Sequence, residues 1–492
     1  MRSLTTTAFC TAFLLGNLPA DLRAQGQQGS GSPYSAYGLG ELSGSTQVTQ
    51  SLMGGTGVAL ADPFSVSRIN PASYVGLLHT CFEVGGVVHN IKYDTETISG
   101  NGRRTDLLGL TVGVPFGKGK WGLALGVNPV SHVGYQLKDE ASLIDGTVRY
   151  VYSGTGGLNR AFFGLGRMIW QSNDTLNKGN RLTIGVNLDY LFGSVVESRK
   201  AFYPVGAGYY STSVTSELVA RAPAASAGLQ YSGDLIGAER AKARVKARKE
   251  HLAAKDEREE MDWLNEGKDP KDRKPVKQPK REGEALRFRA GVSAELPANL
   301  AAWHTQVVNN FALTNSGLEF AFDTARFINS ARGSLQVPLM VGLGFSVYNS
   351  HWTVTAESRR RDWTQLRLDV EGFEQNSALA ANTSYALGAC YRPAGDFGGS
   401  FLQRTIYRAG VRWSDDYLVI DGTQLSQIAA TFGMSFPLMA SSTRSRFTIG
   451  TELGQRGTTS NGLIRERYAD VYIGITITPD LREQWFRKHR IE

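Results

Sequence analysis

Along most of this chain, apolar residues alternate with small or polar ones. Between Arg181 and Gly193, Leu182, Ile184, Val186, Leu188, Tyr190 and Phe192 share one phase, and Thr183, Gly185, Asn187, Asp189 and Gly193 share the other. Side chains alternate across a strand, so this segment has one apolar face and one polar, glycine-rich face. The pattern returns in Leu108-Leu110-Val112-Val114-Phe116, Val337-Leu339-Val341-Leu343-Phe345-Val347, Phe447-Ile449-Thr451-Leu453 and Val471-Ile473-Ile475-Ile477. A soluble sandwich buries its apolar face and turns Lys, Glu and Thr to water. Here the second face carries Gly, Asn, Asp and Thr, which suits a closed barrel with lipid outside and a crowded or wet lumen.

The pattern predicts an all-β protein, a transmembrane antiparallel barrel of about 14 strands. They start near Cys81, Thr105, Lys120, Leu158, Arg181, Ala224, Leu286, Leu335, His351, Leu379, Gln403, Leu425, Arg444 and Arg467. Segment 147–156 reads as an extension of the strand near Leu158, and 208–220 as a hairpin within a loop. An even count puts the N- and C-terminal segments on one side. The turns Gly117-Lys118-Gly119 and Asn349-Ser350 fall there, on the expected periplasmic side. The longer connections 199–222, 315–333 and 457–465 are expected outside.

Residues 1–25 read as a secretory signal, with Arg2 ahead of the apolar Ala8–Leu15 and a cleavage site at Ala20 or Ala24. Residues 26–79 form a linker and hatch, because their turn-rich runs are too short for a domain and need the barrel interior to cover them. The barrel itself occupies 80–479, and 480–492 is a basic periplasmic tail with Trp485-Phe486. Within the barrel, 234–285 is a charge-dense insertion. Glu239–Glu266 has helix-favouring composition and a thin apolar stripe of Val245, Leu252, Trp263 and Leu264. Lys246–Glu250 and Lys255–Glu259 are spaced to pair one turn apart. Gly267–Pro279, with three prolines, reads as a disordered return. The favoured reading is a solvated helix. The alternative is an arm, 236–284, docking a periplasmic protein or peptidoglycan.

Composition adds little. No run of about 18 apolar residues exists, which excludes a helical membrane protein. The formal charge of +8 is mild for 492 residues and scattered, without an aromatic-basic module for nucleic acid. Cys10 lies in the signal. Cys81 and Cys390 fall on the lumen phase of strands too far apart in order for a disulfide to be expected.

Gly54-Gly55-Thr56-Gly57-Val58-Ala59-Leu60-Ala61-Asp62, followed by Asn70-Pro71-Ala72, resembles the hatch of the long-chain fatty acid outer-membrane transporter family. Leu335-Gln336-Val337-Pro338, Trp352–Glu357, Asp362-Trp363, Tyr407–Trp413 and Gly433–Pro437 follow in that family's order. The opening Ser32-Pro33-Tyr34-Ser35 and the tail Trp485-Phe486-Arg487-Lys488 resemble a branch of such barrels common in Bacteroidetes. The resemblance implies fourteen strands plugged by an N-terminal hatch, in the outer membrane of a Gram-negative bacterium. It also implies passive uptake of hydrophobic small molecules such as fatty acids. Members of the wider family serve as secretion-system subunits. The alternative function is therefore an accessory subunit of an outer-membrane secretion or barrel-assembly complex. Uptake predicts an apolar cavity under the hatch and a lateral gap in the wall. A subunit predicts a plugged lumen and partner surfaces.

The hatch residues expected to matter are Gly54, Gly55, Gly57, Asp62, Asn70, Pro71 and Ala72. The glycines allow close backbone approach to the wall, and Pro71 stiffens its turn. The lumen phase also carries Glu83, His89, Asn187, Asp189, Glu357, Arg408, Arg412 and Glu452. Ion pairs with the plug are the favoured use of these groups. An Arg408/Arg412 pair recognising a carboxylate head group is the functional alternative. No phosphate loop, paired metal spacing or Gly-x-Ser-x-Gly elbow occurs, so no enzyme, metal or cofactor is expected. His89, His132 and His304 are each able to serve a rim Ser/His pair, but the sequence gives none a serine. The expected partners are outer-membrane lipid, a hydrophobic ligand and a protein reached through 236–284.

Overall fold

The structure is a computed structural model describing residues 31–44, 47–143, 146–172, 180–204, 208–265, 285–313, 318–373, 377–394, 400–438 and 444–479. The signal, the insertion's return and the C-terminal tail lie outside these residues. Fourteen antiparallel strands close into a barrel. They are β1 (Cys81–Asp94), β2 (Ser99–Phe116), β3 (Trp121–Pro129, continuing as Ser131–Leu143), β4 (Gly146–Gln171) and β5 (Arg181–Phe202). Then come β6 (Ser211–Ile236), β7 (Leu286–Glu295 and Ala298–Leu313), β8 (Glu319–Val337 and Met340–Tyr348) and β9 (Trp352–Asp362 and Arg367–Asp369). The last five are β10 (Ala378–Leu379 and Ala381–Tyr391), β11 (Ile406–Ile420), β12 (Thr423–Pro437), β13 (Arg446–Arg456) and β14 (Arg465–Ile477). Each pairs with its neighbours in sequence, and β14 pairs back onto β1, Phe82 opposite Ile477, to close the ring. The predicted starts match these strands in number and order.

The end where β1 begins and β14 finishes is here called the base, and the other end the rim. At the base, β6 and β7 are joined through helix α1 (Ala238–Asn265). Its Lys246–Glu250 and Lys255–Glu259 pairs are solvent-exposed.

Lengths at the rim differ from expectation. Residues 147–156 do belong to β4, but 208–220 and 315–333 are mostly strand, and turns such as Asp421-Gly422 are tight. Loop length therefore does not distinguish the two ends. The alternation lapses in these outer segments, where lipid no longer imposes one apolar face. Every residue from Glu319 to Phe327 is exposed, for example.

On the wall, Ile184, Val186, Leu188, Tyr190 and Phe192 face out, while Thr183, Asn187 and Asp189 are buried. Leu108 departs from its predicted phase. Gly109, at φ +129°, shifts the register of β2, so Leu107 and Leu110 face out and Leu108 packs inside. Val186→Arg is expected to cost about 2–4 kcal/mol near the bilayer midplane. Asn187→Ala should also destabilise, by about 1–3 kcal/mol, because Asn187 bonds Tyr74 Oη and Ser226 Oγ at 2.8 and 2.9 Å. Urea titration of the vesicle-inserted barrel measures both.

Candidate functional site

The hatch threads the barrel from rim to base. At the rim, Ser32 Oγ donates to Glu466 at 2.5 Å, and Tyr34 Oη donates to the Ile464 carbonyl at 2.6 Å. Strand parity fixes where β1 starts but not where the hatch does, so the first described residues lie at the end opposite the close of β14. Glu41-Leu42 then pair with His132 and Ser131 of β3. A short helix, Val48–Ser51, a glycine-rich turn and the 3-10 turn Pro71–Gly76 fill the lumen below.

Three devices hold the hatch. The first is absence of side chains on the wall. A β-carbon at Gly185 would lie 2.3 Å from Pro71, at Gly291 2.4 Å from the Val58 carbonyl oxygen, and at Gly410 2.3 Å from the Gly54 nitrogen. The second is hydrogen bonding to hatch backbone. Glu357 accepts from the Gly57 and Val58 amides at 2.6 and 2.8 Å, Glu83 accepts from Val66 at 3.0 Å, and Arg359 donates to the Gly55 carbonyl at 3.1 Å. Asn70 serves both sides. Its Oδ1 caps the 3-10 turn by accepting from Ala72, and its Nδ2 donates to the Val58 carbonyl at 2.8 Å. Asn-Pro-Ala is thus a cap followed by a turn with preset φ. The third device is ion pairing. Asp62 meets Arg392 at 3.1 Å and Glu41 meets Arg104 at 2.7 Å. Burial would raise the Glu41 carboxyl, but Arg104, with Arg456 and His89, outweighs it and holds it at about 2.

The densest cluster was not singled out from sequence. Glu295 of β7 takes Arg160 of β4 at 2.7 Å, Arg361 of β9 at 2.5 Å and Arg68 of the hatch at 2.9 Å. Glu295 shares the inward phase of Gly291 and Ser293, and a carboxylate on that phase was the available signal. Glu83, Asn187, Asp189, Glu357, Arg408 and Glu452 are buried, and His89 and Arg412 are half-buried. Glu357 and Glu83 hold the plug, whereas Glu452 pairs with Arg412 wall to wall and accepts from Tyr468 and Tyr472. Arg408 donates to Ser435 Oγ at 2.5 Å, so Arg408 and Arg412 each already have a partner. Asp189 accepts from Ser226 at 3.4 Å. His89 bridges Asp470 at 2.8 Å and Asp106 at 3.3 Å. Of the three histidines, His304 meets a serine, Ser216, at 2.9 Å. Cys81 and Cys390 are buried and free.

A cavity of about 720 Å³ remains above the hatch, and Glu41, Arg104, Asp106, Arg160, Glu295 and Arg456 are among its lining groups. Leu42, Ile69, Val87, Ile91, Leu108 and Val130 line it too, so charged and apolar groups share a space that uptake called on to be apolar. The wall beside it has a seam. β2 pairs with β3 only over Leu110–Phe116, and above it Arg104 of β2 pairs with Glu41 of the hatch strand Glu41-Leu42, which itself pairs with β3. Among the described residues no cluster of His, Cys, Asp or Glu is able to hold a metal.

No curated protein matches the chain by sequence. The toluene transporter TbuX of Ralstonia pickettii is similar in structure, with TM-score 0.50 and 13% identity over 88% of this chain and 98% of that one. A Pseudomonas aeruginosa FadL homologue gives TM-score 0.50 and 10% identity over 90% and 100%. At such identities the likeness is one of fold, the closed fourteen-stranded antiparallel barrel. A family model, BamG, matches residues 11–270 and 277–492.

Proposed function

Because this chain belongs to the BamG family, we propose that it is a non-transporting, non-catalytic accessory subunit of an outer-membrane barrel-assembly complex. The observation that carries the reading is the family match over nearly the whole length. The filled lumen supports it. Glu357, Glu295 and Asn70 tie the hatch to wall strands on several sides, Asn70 through the Leu229 and Val292 carbonyls, and the remaining cavity mixes charged with apolar groups where a fatty acid tail needs continuous apolar surface. Passive uptake of hydrophobic molecules is the second reading, and the β2–β3 seam favours it. The base, carrying α1, is taken as periplasmic and the rim as outer.

Affinity isolation of the tagged protein from native outer membranes should recover barrel-assembly subunits in stoichiometric amounts. Its depletion should lower the amount of other folded outer-membrane barrels. Recovery of the protein alone, together with probe uptake by vesicles containing only this barrel, would replace the proposal with transport. Helix α1 is separable. Ile236 and Leu286 are register partners, so a two-residue turn is able to replace 237–285. That variant should fold with stability within about 0.5 kcal/mol of the parent, read by the urea midpoint in vesicles. A partner that stays with the shortened barrel docks elsewhere.

A further inference from the structure

Among the described residues, β3 to β8 run on toward the rim as a six-stranded sheet, in which β3 beyond His132 pairs only with β4 and β8 before Ser334 pairs only with β7. An open sheet has two edges. The β3 edge, Val133–Leu143, pairs only with β4 and carries exposed Gln136, Lys138, Asp139 and Glu140. Charge of this kind is the usual guard of an edge strand. The β8 edge is different. Among the described residues, Glu319–Gly333 pairs only with β7, since β9 reaches no further than Ser334, Leu335 and Gln336. One side of its main chain is therefore unpaired over about 50 Å at 3.3 Å per residue. Phe320 and Phe327 on this edge are 64% and 61% exposed. Phe322 packs edge-on against Tyr210 of the neighbouring hairpin, with ring centroids 4.8 Å apart, and Leu313 and Leu318 stand exposed beside it. Solvated aromatics along an unpaired backbone are what a sheet edge normally avoids.

Lipid does not account for them. A tilted strand crosses the bilayer in about 9–11 residues. Counted from Tyr348 at the base, that span ends near Val337, well short of Phe327. The described residues that flank 1–30, 266–284 and 480–492 lie away from this edge. The N-terminal segment leaves the described residues at Gly31, beside Tyr93 of β1, half the ring away. Residues 266–284 and 480–492 leave from the base. A second copy fits poorly. Two barrels in one membrane are related by an axis along the membrane normal, so their β8 edges would run parallel with each residue opposite itself. Asp323 would then face Asp323, and Arg326 face Arg326, which is unfavourable. Register shifts against β7 near Phe322, Ala325 and Ser330 divide the edge into short regular runs. The occupant is thus a short extended segment rather than a long strand.

We propose that the β8 edge around Phe320, Phe322 and Phe327 docks a second, non-identical protein outside the membrane. That protein adds a short strand with apolar side chains to the unpaired backbone. The idea deepens the subunit reading and rests on it for the existence of a partner. Its test places a photo-crosslinking phenylalanine analogue at Phe322 in the full-length protein in native membranes, with Leu137 on the guarded edge as control. Position 322 should yield a discrete adduct with a different polypeptide, and position 137 should not. An adduct only with lipid, only with a second copy, or equally from both positions would overturn the proposal, as would no adduct at all. Independently, a Phe320→Ser/Phe322→Ser/Phe327→Ser variant that inserts normally should recover at least about tenfold less of that partner, as expected when aromatic anchors are lost. Undiminished recovery of the assembly subunits by this variant would sink the docking site and leave the subunit reading intact. Failure of the unmodified protein to recover any subunit would sink the subunit reading, while the crosslink would still decide the surface.

Discussion

Replacing Glu295 with Gln is expected to destabilise the protein by about 3–5 kcal/mol. Three guanidiniums, of Arg68, Arg160 and Arg361, converge on this one carboxylate, all four side chains being nearly excluded from solvent. The amide keeps the shape and some hydrogen bonds but not the charge, so the arginines would repel one another where water screens poorly. The exposed Lys200–Glu319 pair at the rim gives the contrast. Glu319→Gln should change stability by at most about 1 kcal/mol. The cluster's origin is also testable. Adding Arg68→Gln to Glu295→Gln removes one of the stranded cations, so the double variant should recover part of the loss, with a coupling of about 0.5–3 kcal/mol. Urea unfolding in lipid vesicles, followed by the shift between folded and unfolded gel migration, measures each. Equal small losses for Glu295→Gln and Glu319→Gln, or strict additivity with Arg68→Gln, would mean that the cluster is well hydrated and not a tie between hatch and wall.

The fourteen strands were legible because lipid imposes a strict alternation on residues such as Leu182 to Phe192, with small or polar neighbours between them. Above the bilayer that constraint ends. Glu319–Phe327 is strand with no buried face, so it read as loop, and with it the projecting sheet went unseen. Leu108 shows a second limit. One bulge at Gly109 reverses the phase of everything beyond it, and nothing in the local composition marks it. The hatch was legible as residues but not as contacts. Gly54 and Pro71 stood out by type, whereas their complements in the wall, Gly410 and Gly185, looked like ordinary lumen-phase glycines. The Glu295 cluster joins residues from four separate places in the chain. Sequence showed that each faced inward only where the alternation was intact, and it could not show that they meet. The function divided in the same way. The resemblance in the hatch and strands reported the fold of the barrel, while the family match came from the chain as a whole.

Introducing leucine at both Gly185 and Gly410 should cost about 2–6 kcal/mol and dislodge the hatch. Each β-carbon would lie 2.3 Å from hatch backbone, Pro71 in one case and Gly54 in the other. Backbone on both sides leaves no flexible side-chain end to give way, and overpacking of this kind costs about 1–3 kcal/mol per site. The two glycines lie on different strands and touch different parts of the hatch, so the costs should add. The wall is a closed ladder in which every strand has two neighbours, and the hatch is the less constrained partner, so it should yield first. The readout is direct. In planar bilayers the parent barrel, plugged along its length, should hold current near baseline, and the double variant should conduct. Ala227→Leu is the matched control, because Ala227 sits opposite Val186 on the exposed phase of β6 and adds the same kind of bulk toward lipid without touching the hatch. It should remain closed and stable. A double variant as closed and as stable as the parent would show that the hatch does not lie against these glycines. A conducting variant that still recovers its assembly partners would separate the plug from the docking surface. The hatch would then serve chiefly to keep a barrel used for its outer surfaces from leaking.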